Sequence, residues 1–349
     1  MRNRLALMAV LSLSGSTLLW GTEGESQSYL LSANGYPWDV QYDTGQVGDG
    51  GDDAFDGFGM LGLRIFDASG ALVMNHGILG GFGMQTEGRT LSSSLNPTFS
   101  GVSVSRQIYA PSNANYLRYF DTFTNTTQST LKLSVVFGGN LGSDSYTTLA
   151  RTSSGDALAT TADQWIVTIE NNELNAAGAA QNDPVVGMIF GNTSVFKGFV
   201  SFNLGSGSEN WAVQLEGEQT TTFSTLSESI ASWGGNGYDD PGFLFEFALN
   251  PGQTLSLVQF LYRGQAEVST YGGTTGSYEQ GPLASGQITL AGDVLNGLIA
   301  NPDYAGLSTG QVGQIANLQP VAVPEPSTWV LLGAGGLLFL GLARRRARV

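Results

Sequence analysis

The chain of 349 residues contains no cysteine and a single histidine, His76. The first absence excludes disulfides, thiolate metal sites and cysteine nucleophiles, so the core must hold the fold unaided. The second removes most zinc chemistry, which draws on Cys and His ligands. Charge is also scarce, at 12% of residues against about a quarter in an average globular protein. Basic residues are the scarcest, 14 against 29 acidic for a net charge of −15. Six of them, Arg2, Arg4, Arg344, Arg345, Arg346 and Arg348, sit at the ends, where Glu23 and Glu325 are the only acids. Residues 24–323 therefore carry 8 basic and 27 acidic groups. A surface of that sign repels nucleic acid and anionic lipid, and no nucleic-acid partner is expected. It admits divalent cations and neutral glycans, and it also serves simply to keep the chain soluble.

Glycine is abundant, with 49 residues, about double the usual share. Such a composition suits strands joined by tight turns, not helices rich in Ala, Glu, Lys and Leu. The body of the chain is patterned with period two. Leu61, Leu63 and Ile65 alternate with Gly62 and Arg64, Val102 and Val104 with Ser103 and Ser105, and Leu131, Leu133, Val135 and Phe137 with Lys132 and Ser134. The same alternation marks Trp165–Ile169, Trp211–Leu215 and Leu255–Leu257. Each run puts its apolar set on one face, as in a half-buried antiparallel strand. Turn clusters such as Asn125-Thr126-Thr127, Gly138-Gly139-Asn140 and Asn250-Pro251-Gly252 separate them. The expected fold is all-β, a large antiparallel β-sandwich over 27–290. Short helices are expected within 291–318, with Asp293 capping Val294–Ile299 and Ser308 with Gln311 forming a capping box.

The ends read differently. Met1-Arg2-Asn3-Arg4 followed by an apolar run to Trp20 is the pattern of a signal peptide over 1–26. Ser16, Gly21 and Ser26 each supply a small residue for the cleavage position, and an uncleaved anchor is the alternative. At the other end, a linker over 319–327 contains Val323-Pro324-Glu325-Pro326-Ser327, which the prolines keep extended. The stretch from Ser327 to Ala343 has no charge, and as a helix it would reach roughly 25 Å, enough for a thin bilayer. We assign 328–343 as a transmembrane helix and 344–349, with Arg344, Arg345, Arg346 and Arg348, as a cytoplasmic stop-transfer tail.

Motif, apolar segment and arginine cluster, in that order at the terminus, resemble the PEP-CTERM sorting signal of exopolysaccharide-producing Gram-negative bacteria. The resemblance implies that Pro324, Glu325 and Pro326 are recognised by an exosortase-type membrane peptidase, which detaches the protein from its helix. It covers only about the last 27 residues. The implied location is the inner membrane, with the ectodomain outside the cytoplasm, and then the cell surface or extracellular matrix.

Three motifs in the body invite a chemical reading. Gly57-Phe58-Gly59-Met60-Leu61-Gly62 fits a dinucleotide fingerprint but runs into a strand rather than a helix. Gly306-Leu307-Ser308-Thr309-Gly310 fits a nucleophile elbow, yet no histidine follows it, and a helix cap accounts for Ser308. The third is Asp49-Gly50-Gly51-Asp52-Asp53-Ala54-Phe55-Asp56-Gly57. Asp49, Asp52, Asp53 and Asp56 in a glycine-rich loop make a candidate calcium site, but the spacing does not match an EF-hand loop and a solvated acidic turn is the preferred reading. No cofactor is expected, calcium at this loop being the one option left open. Of Trp38, Trp165, Trp211 and Trp233, the strand patterns assign Trp165 and Trp211 to the core. Trp233 and Tyr238, in a loop with Asp239 and Asp240, are the sugar-binding candidates, with an aromatic loop anchor as the preferred reading. No residue is nominated as catalytic. The resulting expectation is a non-enzymatic surface or matrix protein with a structural or adhesive role linked to exopolysaccharide. A carbohydrate-binding module or a carboxylate-dependent polysaccharide-active enzyme is the alternative.

Overall fold

The computed structural model describes residues 26–31, 37–48, 54–142, 147–156, 159–170, 184–201, 240–264, 268–272, 277–280 and 284–318. Its strands are β1 (Ser26–Leu31), β2 (Pro37–Gln41), β3 (Met60–Phe66), β4 (Leu72–Ile78), β5 (Met84–Glu87) and β6 (Thr90–Ser93). There follow β7 (Thr98–Phe99), β8 (Val102–Tyr109), β9 (Tyr116–Asn125), β10 (Leu131–Gly138), β11 (Thr147–Thr152) and β12 (Trp165–Glu170). The last are β13 (Val186–Ile189), β14 (Phe196–Ser201), β15 (Pro241–Leu249), β16 (Thr254–Arg263), β17 (Val268–Gly272) and β18 (Ser277–Gln280). Two helices, α1 (Ala284–Ala300) and α2 (Thr309–Val312), come last.

Two antiparallel sheets carry the fold. The smaller has the order β14-β15-β10-β3-β4 and the larger β11-β12-β13-β16-β9-β8-β6-β5, with β7 also paired to β8. Strands β1 with β2 and β17 with β18 form separate two-stranded pairs. One continuous apolar cluster draws on both sheets. It joins Leu61, Leu63, Leu133, Val135, Phe243 and Phe245 of the smaller to Val104, Leu117, Phe123, Ile166, Met188 and Leu257 of the larger. The two sheets therefore pack across a shared core, as alternating strands require when each has one apolar face.

The alternation is clean in β8, where Val102, Val104, Arg106 and Ile108 are buried and the residues between them half-buried. In β3 it is not, because Met60–Ile65 are all buried. Its second face is covered by a small outer cluster of Met60, Val136, Val200 and Leu244.

The outer face of the larger sheet is covered by α1 and by the chain that follows it. Ala291, Leu295 and Leu298 of the helix pack on Trp165, Val167, Val258 and Phe260, together with Ile315 and Leu318. Helix α1 begins at Ala284 and runs 17 residues, so Asp293 lies in its interior and does not cap it. The weak formers Gly286, Thr289 and Gly292 hide the first half from a propensity reading, and burial of the apolar stripe against the sheet overrides them. Helix α2 matches its signature: Ser308 is the N-cap and forms a capping box with Gln311. Among the described residues no helix is long and apolar enough to cross a membrane, and the apolar run 328–343 lies outside them.

After α2 the chain joins the larger sheet. Ser256 and Ile315 form a parallel bridge, with Ser256 N donating to Gln314 O at 2.8 Å and Ala316 N to Ser256 O at 2.9 Å. Asn317, fully buried, completes the attachment through its side chain. Its Nδ2 donates to Phe190 O at 2.9 Å and to Val258 O at 2.6 Å, and its Oδ1 accepts from Val258 N at 2.8 Å.

Candidate functional site

Polar residues at inward strand positions mark two buried networks. Arg106 of β8 and Asp121 of β9 sit opposite each other in the register, both pointing into the apolar core. Arg106 Nε donates to Asp121 Oδ1 at 2.7 Å and Nη2 to Oδ2 at 3.0 Å, while Nη1 reaches Thr44 O and Gly59 O at 2.8 and 2.6 Å. The guanidinium also lies 4.9 Å from the centre of the Tyr119 ring. Tyr119 in turn donates to Gly45 O at 3.1 Å. Glycine is required at residue 59, where φ is +88° and an added Cβ would fall 2.6 Å from the Tyr119 hydroxyl. Burial pushes the Asp121 carboxyl up from its ordinary range, and the two bonds from Arg106 oppose that push. Every group the pair binds belongs to the fold, so its chemistry is to tie the backbone at Thr44 and Gly59 to the sheet.

The second network lies on the opposite face of β9. Arg118 Nη1 donates to Asp303 O and Ala305 O at 2.9 and 2.8 Å, and Nη2 to Gln107 Oε1 at 3.0 Å. Tyr116 donates its hydroxyl to Asp303 Oδ2 at 2.7 Å. Together these bonds hold the segment between α1 and α2 against the sheet. The sequence offers a signal for both networks: an arginine or aspartate at a position that the alternation assigns to an apolar face. Spacing alone does not pair them, because Arg106 and Asp121 are joined by topology and not by a motif.

Beside the second network, the outer face carries cross-strand rows of uncharged hydroxyls. Ser103, Thr124 and Thr254 form one row, and Ser105, Thr122 and Ser256 the next. Thr124 bonds Thr254 at 2.9 Å and Thr122 bonds Ser256 at 3.0 Å. All but Ser256 remain half-exposed.

The third arrangement is a rim at one end of the smaller sheet. The β10–β15 register ends at Gly138 opposite Gly242, and Gly139 N continues it to Pro241 O at 3.3 Å. Asn140 N donates to Gly57 O at 3.3 Å, and Asp56 N donates to Asn140 O at 3.2 Å. Three backbones meet there because residue 139 is glycine: its φ is +144°, and an added Cβ would lie 2.9 Å from Phe58 Cα. Asp240, 5% exposed, adjoins this junction. Its Oδ1 and the Oδ1 of Asn140 are both buried, with no hydrogen-bond partner among the described residues. Burial raises the Asp240 pKa to about 7.

Of the residues singled out from sequence, Asp56 is described and is exposed beside this rim. Asp49, Asp52, Asp53, Trp233 and Tyr238 lie outside the described residues, as do Pro324, Glu325, Pro326, Arg344, Arg345, Arg346 and Arg348. Among the described residues no group of three or more acidic or histidine side chains is placed to hold a metal. Trp38 is 1% exposed and packs on Phe55 with ring centres 6.1 Å apart, so it is a core residue. Trp165 is also buried, with its Nε1 donating to Asn296 Oδ1 at 3.0 Å. His76 lies in β4 opposite Leu63.

No curated protein matches the chain. Among solved structures it is similar to a polysaccharide lyase, with 11% identity over 68% of this chain and 32% of that one and a TM-score of 0.33. It is also similar to the heparan sulfate lyase HepC from Pedobacter heparinus, at 12% identity, 58% and 24% coverage and a TM-score of 0.27. The GH36 alpha-galactosidase AgaA from Geobacillus stearothermophilus gives 12% identity, 58% and 30% coverage and a TM-score of 0.28. The chain spans a third or less of each, and likenesses this distant carry no functional argument. The tail is another matter, because residues 322–347 match the family model of the PEP-CTERM protein-sorting motif. The chain thus carries a PEP-CTERM signal, the mark of an exported protein anchored at the membrane until an exosortase processes it.

Proposed function

We propose that the protein is a non-enzymatic component of the cell surface or extracellular matrix, with a structural or adhesive role linked to exopolysaccharide. The observation that carries this reading is the sorting motif at residues 322–347. Two features of the folded part support it. The rows of Ser and Thr hydroxyls on β8, β9 and β16 offer donors and acceptors without charge, the chemistry a neutral glycan meets well. The attachment of Asn317 also keeps the folded unit near the processing point. Leu318 to Pro324 is six residue steps, at most roughly 20 Å of extended chain. Under this proposal the apolar segment 328–343 spans the inner membrane, residues 344–349 stay cytoplasmic, and 1–26 is the export signal.

Co-sedimentation of the mature protein with the host's exopolysaccharide, followed by sizing of the sugar, tests the proposal. Binding without shortening of the polymer is expected. Shortened chains would replace this account with a polysaccharide-active enzyme. Neither binding nor shortening would remove the link to the polysaccharide and leave a spacer.

A further inference from the structure

We propose that Asp240 and Asn140 form a divalent-cation site at the rim of the smaller sheet, with calcium as the ion that fits the donors. The two residues lie just past the paired ends of β10 and β15. Gly138 faces Gly242 and Gly139 bonds Pro241, so one further step of the ladder would set Asn140 opposite Asp240. They also share a face. Phe137, Leu141 and Phe243 turn into the core between the sheets, whereas Val136 and Leu244 belong to the outer cluster. Counted by twos from Val136 and Leu244, Asn140 and Asp240 fall on that outer side, with the non-extended Gly139, at φ +144°, interrupting the count before Asn140.

What makes the pair more than an acidic surface is its unmet bonding. Asp240 is 5% exposed, and its Oδ1 and Asn140 Oδ1 are both buried acceptors with no donor among the described residues. A buried acceptor left bare costs about 1–3 kcal/mol. Two such oxygens at one rim call for a donor or a positive charge: a proton on Asp240 or a turned Asn140 amide supplies the first, a cation the second. Carboxylate and amide oxygens are the ligands calcium takes, and waters complete its six to eight positions.

One acidic residue adjoins Asn140. Asp56, exposed, bonds through its N to the Asn140 carbonyl at 3.2 Å, and Ala54 O accepts from Gly142 N at 3.1 Å. The competing occupant is a proton. Burial raises the Asp240 pKa to about 7 when no ion is present, and a protonated carboxyl would need no metal. This site stands independently of the proposed link to polysaccharide.

The test is calorimetric titration of the full-length chain in detergent with calcium chloride at pH 7.5, after removal of metals with EDTA, alongside thermal unfolding. Wild type should show saturable uptake and a higher Tm with calcium. Asp240→Asn should weaken the affinity at least tenfold, and Asn140→Asp, which adds a carboxylate at the same point, should strengthen it severalfold. Should Asp240→Asn fail to fold, Asn140→Asp alone decides, and unchanged or weaker uptake overturns the site. No saturable uptake by wild type also overturns it, as does an Asp240→Asn variant that binds as tightly as wild type.

Discussion

Asn317 grips Val258 at both ends of its backbone: its Oδ1 accepts from Val258 N at 2.8 Å and its Nδ2 donates to Val258 O at 2.6 Å. A side-chain amide so placed imitates a strand residue, and it occupies the edge of β16 that β13, which starts its pairing at Phe260, leaves open. The last described residues before the sorting motif are therefore part of the sheet.

Replacing Asn317 with Ala should bare Val258 N, Val258 O and Phe190 O in a fully buried place. Each unmet group costs about 1–3 kcal/mol, so a drop in the urea midpoint is expected. Asn317→Asp should be worse at neutral pH, because a carboxylate oxygen would then face two carbonyls. Equal stability of wild type and both variants would show that the latch contributes nothing.

The Arg106–Asp121 pair makes a different prediction. Removing one partner, as in Asp121→Asn, leaves a guanidinium charge uncompensated in the core and should cost about 3–5 kcal/mol. Arg106→Met combined with Asp121→Leu should cost much less than the sum of the single changes, because no charge remains. Additive losses in a double-mutant cycle would contradict the coupling.

Asp240 supplies a pH dependence whose sign follows from burial. Desolvation raises its pKa to about 7 from 3.8, so the folded state holds the proton more tightly than the unfolded state. Its contribution to stability is then complete below pH 3.8 and is lost as the pH rises through about 7. In EDTA, wild type should lose stability relative to Asp240→Asn across that window, measured by urea midpoints at successive pH values. Saturating calcium should abolish the relative loss. Parallel curves in EDTA would refute the assignment.

Much of the fold was legible because strand alternation is a direct consequence of one buried face. Leu61, Val102, Leu133 and Leu257 all fall in the core that their patterns required. The capping box at Ser308 was legible for the same reason, a local bond written in local spacing. Helix α1 was read short, because packing of Leu295 and Leu298 supplies what Gly286 and Gly292 lack. The rim was half legible. The sequence singled out Asp56 but named Asp240 only as an acid beside Trp233 and Tyr238, and nothing local says that Asn140 lies near either. That relationship comes from the sheet order, which period-two patterns do not encode. The Arg106–Asp121 pair was missed for the same reason, although each residue stood at an apolar position.

The sorting signal is the centre of the account, and the mass of the mature protein tests it most directly. The surface-located form should be isolated from its host and its C-terminal peptide sequenced by mass spectrometry. Processing predicts a chain that has lost Arg348 and the apolar segment before it. A surface-located protein that still ends in Arg344-Arg345-Arg346-Ala347-Arg348-Val349 would contradict the account.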